Sequence, residues 1–323
     1  MPRPTSSTTI QRPDLGAVAY EYTMDAPNRG FIGAEIFPVF ETPEQASDYP
    51  IIPIESLLKM PPSLRRQARG SYQRDDFQFE TDTYSAEENG FEAPVDDTEA
   101  KLYARYFDAE AVATERATDI VMRDHEIRVA AIAFNPAIVT NTGEVSIEWD
   151  TVATCTPYED VMDAKRTLKE ATGISVNAAA MCKKVFDNIV RSAEVQGLLK
   201  YTNPIQTLGI SAKLELIRQY LELEYLLVSE AQRDIAGKGL AFSLAGIWDD
   251  EYCLLFRKPG NPKNLKEPTL GRTFLWIEDS PQIITTEMYR EEQTRSNVYR
   301  VRQYTDEAIM CAGAAYLLSN ISQ

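Results

Sequence analysis

The side chains able to do metal or nucleophilic chemistry are few and widely spaced in this sequence. Among 323 residues there is one histidine, His125, and there are four cysteines, Cys155, Cys182, Cys253 and Cys311. Zinc sites and Cys-His devices need at least two such groups close together, and neither a second histidine nor a close cysteine pair occurs. We therefore expect reduced, mostly buried thiols, a structural histidine, and no metal or cofactor.

Paired carboxylates are the remaining candidates for acid-base chemistry. Examples that stand side by side are Asp75-Asp76, Asp96-Asp97 and Asp249-Asp250. A chain with 49 acids produces such pairs by chance, and Asp249-Asp250 predicts a hairpin turn instead. No phosphate-binding glycine loop, His-Glu-x-x-His or nucleophile elbow occurs. The sequence predicts a non-catalytic protein, with an acidic α/β enzyme of unrecognised site as the alternative from a different class.

Composition narrows the class of protein further. The chain is long enough for about two domains, and its net charge of −16 argues against a nucleic-acid-binding protein, which needs clustered Lys and Arg. No early apolar run resembles a signal peptide, and no run is long enough to cross a bilayer. We expect a globular protein without a membrane segment that is made in a cytoplasm.

The segment 108–134 predicts one long amphipathic helix, called the long helix below. Its apolar residues recur with the helical period and gather on one stripe: Val112, Ala113, Ala117, Ile120, Val121, Ile127, Ala130, Ala131 and Phe134. Two pairs stand four residues apart with the acid first, Asp119 with Arg123 and Asp124 with Arg128. Glu126 is expected on a polar face. The helix is a rod on the order of 40 Å long, around which we expect the rest to be arranged.

Two predicted strands, 49–54 and 77–84, form the base of a long hairpin. Their apolar surface is too small for the hairpin to be stable alone. The connection carries five cations in an otherwise acidic chain: Lys59, Arg65, Arg66, Arg69 and Arg74. They predict either a solvated loop or a docking arm that meets acids of another copy. The candidate acids are Glu87, Glu88, Glu92, Asp96, Asp97 and Glu99.

The first 45 residues read as a polar arm followed by an apolar anchor, residues 30–40. The arm is rich in Pro, Ser and Thr and cannot bury a core of its own. The anchor, GFIGAEIFPVF, would fasten the arm to a body, either that of the same chain or that of a neighbour.

Residues 152–256 alternate between helix and strand patterns and predict a mixed α/β unit. A strand at 145–149 precedes it, and Thr156-Pro157-Tyr158-Glu159 is a helix start that Gly173 ends. Further helices are expected at 178–192 and 212–221, and strands at 225–228 and 252–256. Strands at 273–277, 283–289 and 297–304 follow the polar loop 257–268, the last two as a hairpin. A closing strand is expected at 316–319.

Three stretches resemble a known family: GFIGAEIFPVF, residues 30–40; ENGFEAPVDD, residues 88–97; and NPKNLKEPTLGRTFLW, residues 261–276. In that order they are similar to the anchor before an extended loop, the acidic turn before a long helix, and the loop and strand that lead back to a peripheral domain. The family is that of the major capsid proteins of tailed double-stranded DNA bacteriophages, the HK97-like fold.

The resemblance implies an α+β fold with four parts. These are an N-terminal arm (1–45), an extended hairpin loop (46–86), a peripheral domain with the spine helix (87–150 and 270–323), and an axial α/β domain (151–269). It also implies self-assembly into hexamers and pentamers of an icosahedral shell that encloses double-stranded DNA without sequence-specific binding. Scaffold, portal and decoration proteins are further possible partners. The expected location is the virion, assembled in the host cytoplasm.

The same fold leaves a second shell-forming function open. An encapsulin-like compartment encloses a cargo enzyme rather than DNA. The N-terminal segment lacks the amphipathic helix expected to line a cargo-peptide pocket, so the sequence favours the phage head.

Overall fold

The computed structural model describes residues 10–11, 15, 19, 30–53, 58–60, 63–66, 68–72, 74, 79–199, 209–237, 239–279 and 282–322. The strands are β1 (Ile10–Gln11), β2 (Val39–Thr42), β3 (Ala46–Ile51), β4 (Glu80–Ser85), β5 (Glu87–Asp96), β6 (Thr142–Glu144), β7 (Ala178–Cys182), β8 (Tyr225–Ser229), β9 (Gln232–Asp234), β10 (Leu244–Gly246), β11 (Cys253–Phe256), β12 (Gly271–Trp276), β13 (Thr285–Glu291), β14 (Ser296–Ile309) and β15 (Ala315–Ser319). The helices are α1 (Gly33–Ile36), α2 (Asp97–Tyr103), α3 (Ala109–Ala133), α4 (Pro157–Thr172), α5 (Lys183–Arg191), α6 (Ala193–Leu199) and α7 (Ile210–Tyr220), with a 3-10 turn at Ala312–Ala314.

The first sheet is built around β14, whose 14 residues pair with three other strands. The order is β1-β13-β14-β12-β2, and β5 pairs with β14 from Glu87↔Thr305 to Asp96↔Ser296. The predicted hairpin of β13 and β14 is confirmed. The stretch ENGFEAPVDD was expected to be an acidic turn, which is wrong: it is a ladder-forming strand because β14 supplies its backbone partners.

The second sheet has the order β6-β15-β11-β7-β8. Strands β7 and β8 are parallel, and α5, α6 and α7 lie between them along the chain, as a parallel pair requires. The segment 151–269, called the insert below, supplies three strands of this sheet, and β6 and β15 add to it from outside that segment. The predicted closing strand at 316–319 is confirmed as β15.

Two element predictions near the insert are wrong. Residues 178–192 form a strand and then a helix, because AAAMC lies fully buried between β11 and β8, where sheet pairing outweighs the helix propensity of alanine. The strand expected at 145–149 lies at 142–144 instead, where it pairs with β15. Asp249-Asp250 does form a turn, but the turn joins strands of different sheets, since β10 pairs with β9 and β11 with β7 and β15.

The long helix is confirmed, as α3, and its N-terminal end is capped. The Asp108 carboxylate accepts the Glu110 N–H at 3.0 Å. The contact stripe differs from the prediction, since Val112 and Ala131 are exposed and Ile120 is half-buried. The buried positions are Thr114, Ala117, Thr118, Val121, Glu126, Val129, Ala130 and Ala133. The two threonines are buried without penalty because each hydroxyl donates to the carbonyl four residues earlier.

The anchor packs into the core of its own chain. Ile32, Ile36 and Phe37 are buried in the largest apolar cluster, together with Val129 of the long helix. A Cβ on Gly271 would lie 2.5 Å from the Phe37 ring, so glycine is needed there for close approach of β12. The question that the sequence left open, own body or neighbour, is answered for residues 30–40.

Other features of the described residues agree with the sequence. Helix α4 starts at Pro157 and ends at Gly173, whose φ is +75°, although the Thr156 side chain makes no capping hydrogen bond. The four cysteines are free, three of them buried and Cys311 half-buried. Within the described ranges no helix is long and apolar enough to span a membrane.

Candidate intersubunit surface

The β3–β4 hairpin is fastened to the body at its base. Tyr84 stacks on Phe274 of β12 with ring centroids 4.4 Å apart and planes inclined by 7°, and Tyr49 lies 5.0 Å from the same ring. The Tyr49 hydroxyl donates to the Ile309 carbonyl at 3.0 Å, and burial raises the pKa of Tyr49. The structure pairs 46–51 with 80–85, which confirms the predicted strands at 49–51 and 80–84. Residues 52, 53 and 79 lie outside the ladder, and residues 54 and 77–78 are not among the described residues. The far end of the hairpin remains available for another molecule.

The connection between β3 and β4, residues 52–79, is called the basic loop. Its five predicted contact cations are all exposed: Lys59, Arg65, Arg66, Arg69 and Arg74. None of them forms an ion pair with another described residue. Positive charge that forms no ion pair among the described residues, on a chain of net charge −16, favours attraction to the same chain in another copy.

The basic loop also exposes large apolar side chains, which the sequence reading missed. Leu58, Met60, Leu64 and Tyr72 are all exposed, Met60 at 76%. The guanidinium of Arg66 lies 5.1 Å from the Tyr72 ring centroid. Leu58 also approaches Gly173 at the end of α4, but apolar side chains as exposed as these still favour the docking interpretation. The sequence does place these Leu, Met and Tyr residues among the cations of the loop, which would have indicated a mixed apolar and basic surface.

The predicted acceptor acids lie together along β5 and at the start of α2, and three of them, Glu88, Glu92 and Asp97, have cationic partners. Glu92 pairs with Arg300 at 2.6 Å and accepts the Tyr289 hydroxyl at 3.1 Å. Asp97 forms a two-pronged pair with Arg290 at 2.6 and 2.7 Å, which lowers the pKa of Asp97. Both carboxylates are therefore committed in part to the first sheet.

The remaining acids are less engaged. Asp96 accepts the Thr98 N–H at 2.7 Å, a bond that lowers the pKa of Asp96 and caps α2. Glu88 lies 3.9 Å from Arg302, and Glu87 and Glu99 form no ion pair with another described residue. Within one described chain the acids are not joined to the basic loop, so this geometry leaves the two sets free to meet between copies.

An apolar groove lies beside these acids, between β5 and the first turns of α3. It has a volume of about 470 Å³ and is called the aromatic groove. Its apolar lining includes Phe91, Val95, Tyr103, Phe107, Val112 and Ala113. Glu92, Glu99 and Arg116 complete the lining, so the groove joins an apolar floor to acidic groups and one cation.

The rim of the aromatic groove exposes large apolar side chains near the acids. Tyr103 and Phe107 stack with ring centroids 5.2 Å apart, and Leu102 and Tyr106 are exposed, Tyr106 at 82%. The run LYARYF, residues 102–107, indicates this cluster in the sequence, but it was not among the predicted contact residues. Exposed aromatic clusters of this kind mark protein interaction sites.

In the part of the chain that is described, no group of three or more His, Cys, Asp or Glu could hold a metal ion. His125 is half-buried against β12 and β14, with Nε2 3.2 Å from the Thr273 hydroxyl and 3.5 Å from the Glu307 carboxylate. The geometry supports contact between protein surfaces.

Comparison with known proteins gives one curated relative. The chain is 23% identical over 251 residues to the major capsid protein of Pseudomonas phage JBD67, and the match covers 76% of each chain. No protein-family model matches the chain.

Solved structures show the same fold over nearly the whole chain. A phage-related protein from Bordetella bronchiseptica RB50 superimposes with a TM-score of 0.73 at 22% identity, covering 97% of this chain and 98% of that one. The capsid structure of cyanophage P-SCSP1u gives a TM-score of 0.57 at 8% identity, covering 90% and 88%. The chain has the mixed α+β fold of phage capsid structures.

Proposed function

We propose that this protein, related in fold and sequence to the major capsid proteins of tailed bacteriophages, forms the icosahedral head of a phage around double-stranded DNA. The observation that carries the proposal is a phage-capsid fold over almost the full chain together with a curated major capsid protein as relative. Its subunits would form hexamers and pentamers. Its work is structural, and it needs no cofactor.

The four parts expected from the resemblance fit this role. Residues 1–45 would be the N-terminal arm, 46–86 the extended loop, 87–150 with 270–323 the peripheral domain, and 151–269 the axial domain. An acidic shell subunit suits packaged DNA, because like charge keeps the wall from gripping the genome. Scaffold, portal and decoration proteins are the partners that such a head would use, and the virion would be its location.

Electron microscopy of the purified full-length chain tests the proposal. We expect closed shells or capsomers, and a mass by analytical ultracentrifugation of at least a pentamer. An acidic α/β enzyme would instead sediment as a small oligomer with no ring or shell in negative stain. That result over a range of protein concentrations would overturn the proposal.

Contents of particles from the producing cells separate the phage head from an encapsulin-like compartment. A phage head contains nuclease-protected double-stranded DNA of defined length. A compartment contains a cargo protein in constant ratio to the shell, which mass spectrometry detects. A cargo protein found without protected DNA would support the encapsulin-like compartment and contradict the phage head.

We further propose that the basic loop of one copy docks against the acidic and aromatic surface of a neighbouring copy. Met60 and Leu64 would enter the aromatic groove, while the cations of the loop meet acids beside it. The acid set is Glu87, Glu88, Glu92, Asp96, Asp97 and Glu99, of which Glu87 and Glu99 have the least engagement within the described chain. Apolar contact supplies affinity here, and complementary charge sets orientation.

Charge reversal tests the docking arm. In Arg65→Glu/Arg66→Glu/Arg69→Glu we expect folded subunits that fail to close shells, since acids would then face acids. The matched control is Arg166→Glu/Lys169→Glu/Arg191→Glu, which changes the net charge by the same amount at exposed positions of the insert. Wild-type shells from the loop variant, or an equal loss in both variants, would contradict the docking proposal.

A further inference from the structure

A buried carboxylate lies where the long helix, the anchor and the insert meet. Glu126 is only 2% exposed, although its place in the sequence predicted a polar face. Its Oε1 accepts the Ile32 N–H at 2.7 Å and the Trp248 indole N–H at 2.6 Å, and its Oε2 accepts the Gly33 N–H at 2.7 Å. One side chain of the long helix thus binds the anchor and the insert at once.

The anchor is shaped for this contact. A Cβ on Gly33 would lie 2.6 Å from Glu126 Oε2, so the close approach needs glycine. The Ile32 and Gly33 N–H groups belong to the first turn of α1 and have no partner within that helix, and the carboxylate caps them from outside. Gly33 and Glu126, which are 93 residues apart in the sequence, therefore depend on each other for this contact.

Other polar contacts also join the insert to the anchor. The Ser229 hydroxyl donates to the Gly30 carbonyl at 2.7 Å, and Lys258 forms an ion pair with Glu35. The ring of Phe134, which caps the long helix, packs edge-on against Trp248 with centroids 4.8 Å apart. Apolar packing alone holds two bodies together without setting a direction, whereas these bonds are directional.

We infer that Glu126 is a positioning residue for assembly: by binding Trp248 and the anchor together, it sets the angle between the insert and the long helix, and with it the diameter of the shell. The inference rests on the proposed shell-forming function. In a closed shell each subunit presents contact surfaces from both bodies, so a small change in their angle is repeated in every subunit and changes the curvature.

The chemistry of the site explains why a carboxylate is used. A glutamine has one oxygen and one NH₂ group, so it accepts from the donors on one side and turns an N–H towards the donor on the other. Burial raises the pKa of Glu126, while its three hydrogen bonds oppose that rise. A carboxylate is costly to bury. This one accepts hydrogen bonds from three donors in two other segments, so it fixes how those segments lie relative to the long helix.

The test compares two tryptophans. Trp248→Phe keeps a ring against Phe134 and removes the N–H that reaches Glu126. Trp149→Phe is the matched control, because Trp149 is also buried and donates to a carboxylate, that of Asp160 at 2.9 Å, beside α4 and away from the junction with the anchor. Melting temperatures of the dissociated subunits and particle diameters by electron microscopy are measured for both variants and for the wild type.

We expect a shifted or broadened diameter distribution for Trp248→Phe and wild-type diameters for Trp149→Phe at similar losses of melting temperature. Unchanged diameters in both, or equal changes in both, would overturn the inference while leaving the shell itself intact. Should Trp248→Phe not fold, Glu126→Gln is compared with Glu115→Gln on the same helix by the same criterion. A wild type that forms no particles contradicts the proposed function instead.

Discussion

Two neighbouring residues of the long helix show how burial changes the chemistry of a side chain. His125 and Glu126 stand side by side in sequence and contact different parts of the molecule. Burial lowers the pKa of His125, with the Glu307 carboxylate opposing that shift and Arg128 adding to it. Burial raises the pKa of Glu126. Each group is thus pushed towards its neutral form because the interior disfavours charge.

Because the chain has one histidine, the pH dependence of stability can be assigned to that residue in the range where imidazoles titrate. In the unfolded chain His125 binds a proton near pH 6.5, whereas the native imidazole, facing Asp124, Arg128, Glu307 and Thr273, binds it only at lower pH. Its contribution to stability is therefore present above pH 6.5 and is lost as the pH falls through the native pKa. We expect the melting temperature of the wild type relative to His125→Gln to fall between pH 7.5 and pH 5. A constant difference over that range would contradict this assignment.

At the scale of the element, the long helix also shows that residues distant in sequence decide which side chains are buried. Its caps and length follow from local sequence, but the side that packs is set by β5 and β14. Ala117 and Val121 join an apolar cluster with Ala93 and Val301, and Arg128 reaches Glu307 at 2.8 Å. The face turned to the sheet therefore carries threonines and charged partners as well as apolar residues.

A matched pair of valines tests this packing. Val121 is 3% exposed and Val112 is 45% exposed, and both lie in α3. We expect Val121→Asp to lower the free energy of unfolding by about 3 kcal/mol or more, since it buries an unpaired carboxylate. Val112→Asp should change it by about 0.5 kcal/mol or less. Chemical denaturation of the dissociated subunits measures both, and comparable losses would contradict the orientation of the helix.

At the scale of the whole molecule, the resemblance to major capsid proteins of tailed phages is confirmed by the curated relative and by the shared capsid fold. The chain buries the base of its hairpin and exposes the far end. It likewise buries its anchor and leaves the aromatic groove open beside the acids. The described chain thus buries a core of its own and leaves exposed the two surfaces that the docking proposal joins between copies.

Proteolysis before and after assembly tests those surfaces. Trypsin cuts after the exposed cations of the basic loop, Lys59, Arg65, Arg66, Arg69 and Arg74. We expect cleavage in assembled particles to be slower by about tenfold or more than in dissociated subunits, because docking removes the open conformations that the protease needs. Mass spectrometry of the fragments locates the cuts. Equal rates in both states would mean that the loop remains in solvent.

Features set by near neighbours in sequence were predictable. The long helix follows from the helical period of its residues, and α4 from its proline start and glycine end. The pairing of β3 with β4 follows from two strand-forming runs, and β13 and β14 from their short connection. The basic loop was visible as charge. In each case the residues that decide the structure lie within a few positions of one another.

The sequence by itself determined the acidic character of the chain, the long helix, and the hairpin whose connection is the basic loop. Only the tertiary structure decided which of its residues are buried and with which partners. Ala178–Cys182 is a strand because β8 and β11 lie on either side of it, and Glu126 is buried because Gly33 and Trp248 offer their N–H groups to it. These outcomes depend on groups distant in sequence, whose desolvation and hydrogen bonding act together only after the chain has closed around them.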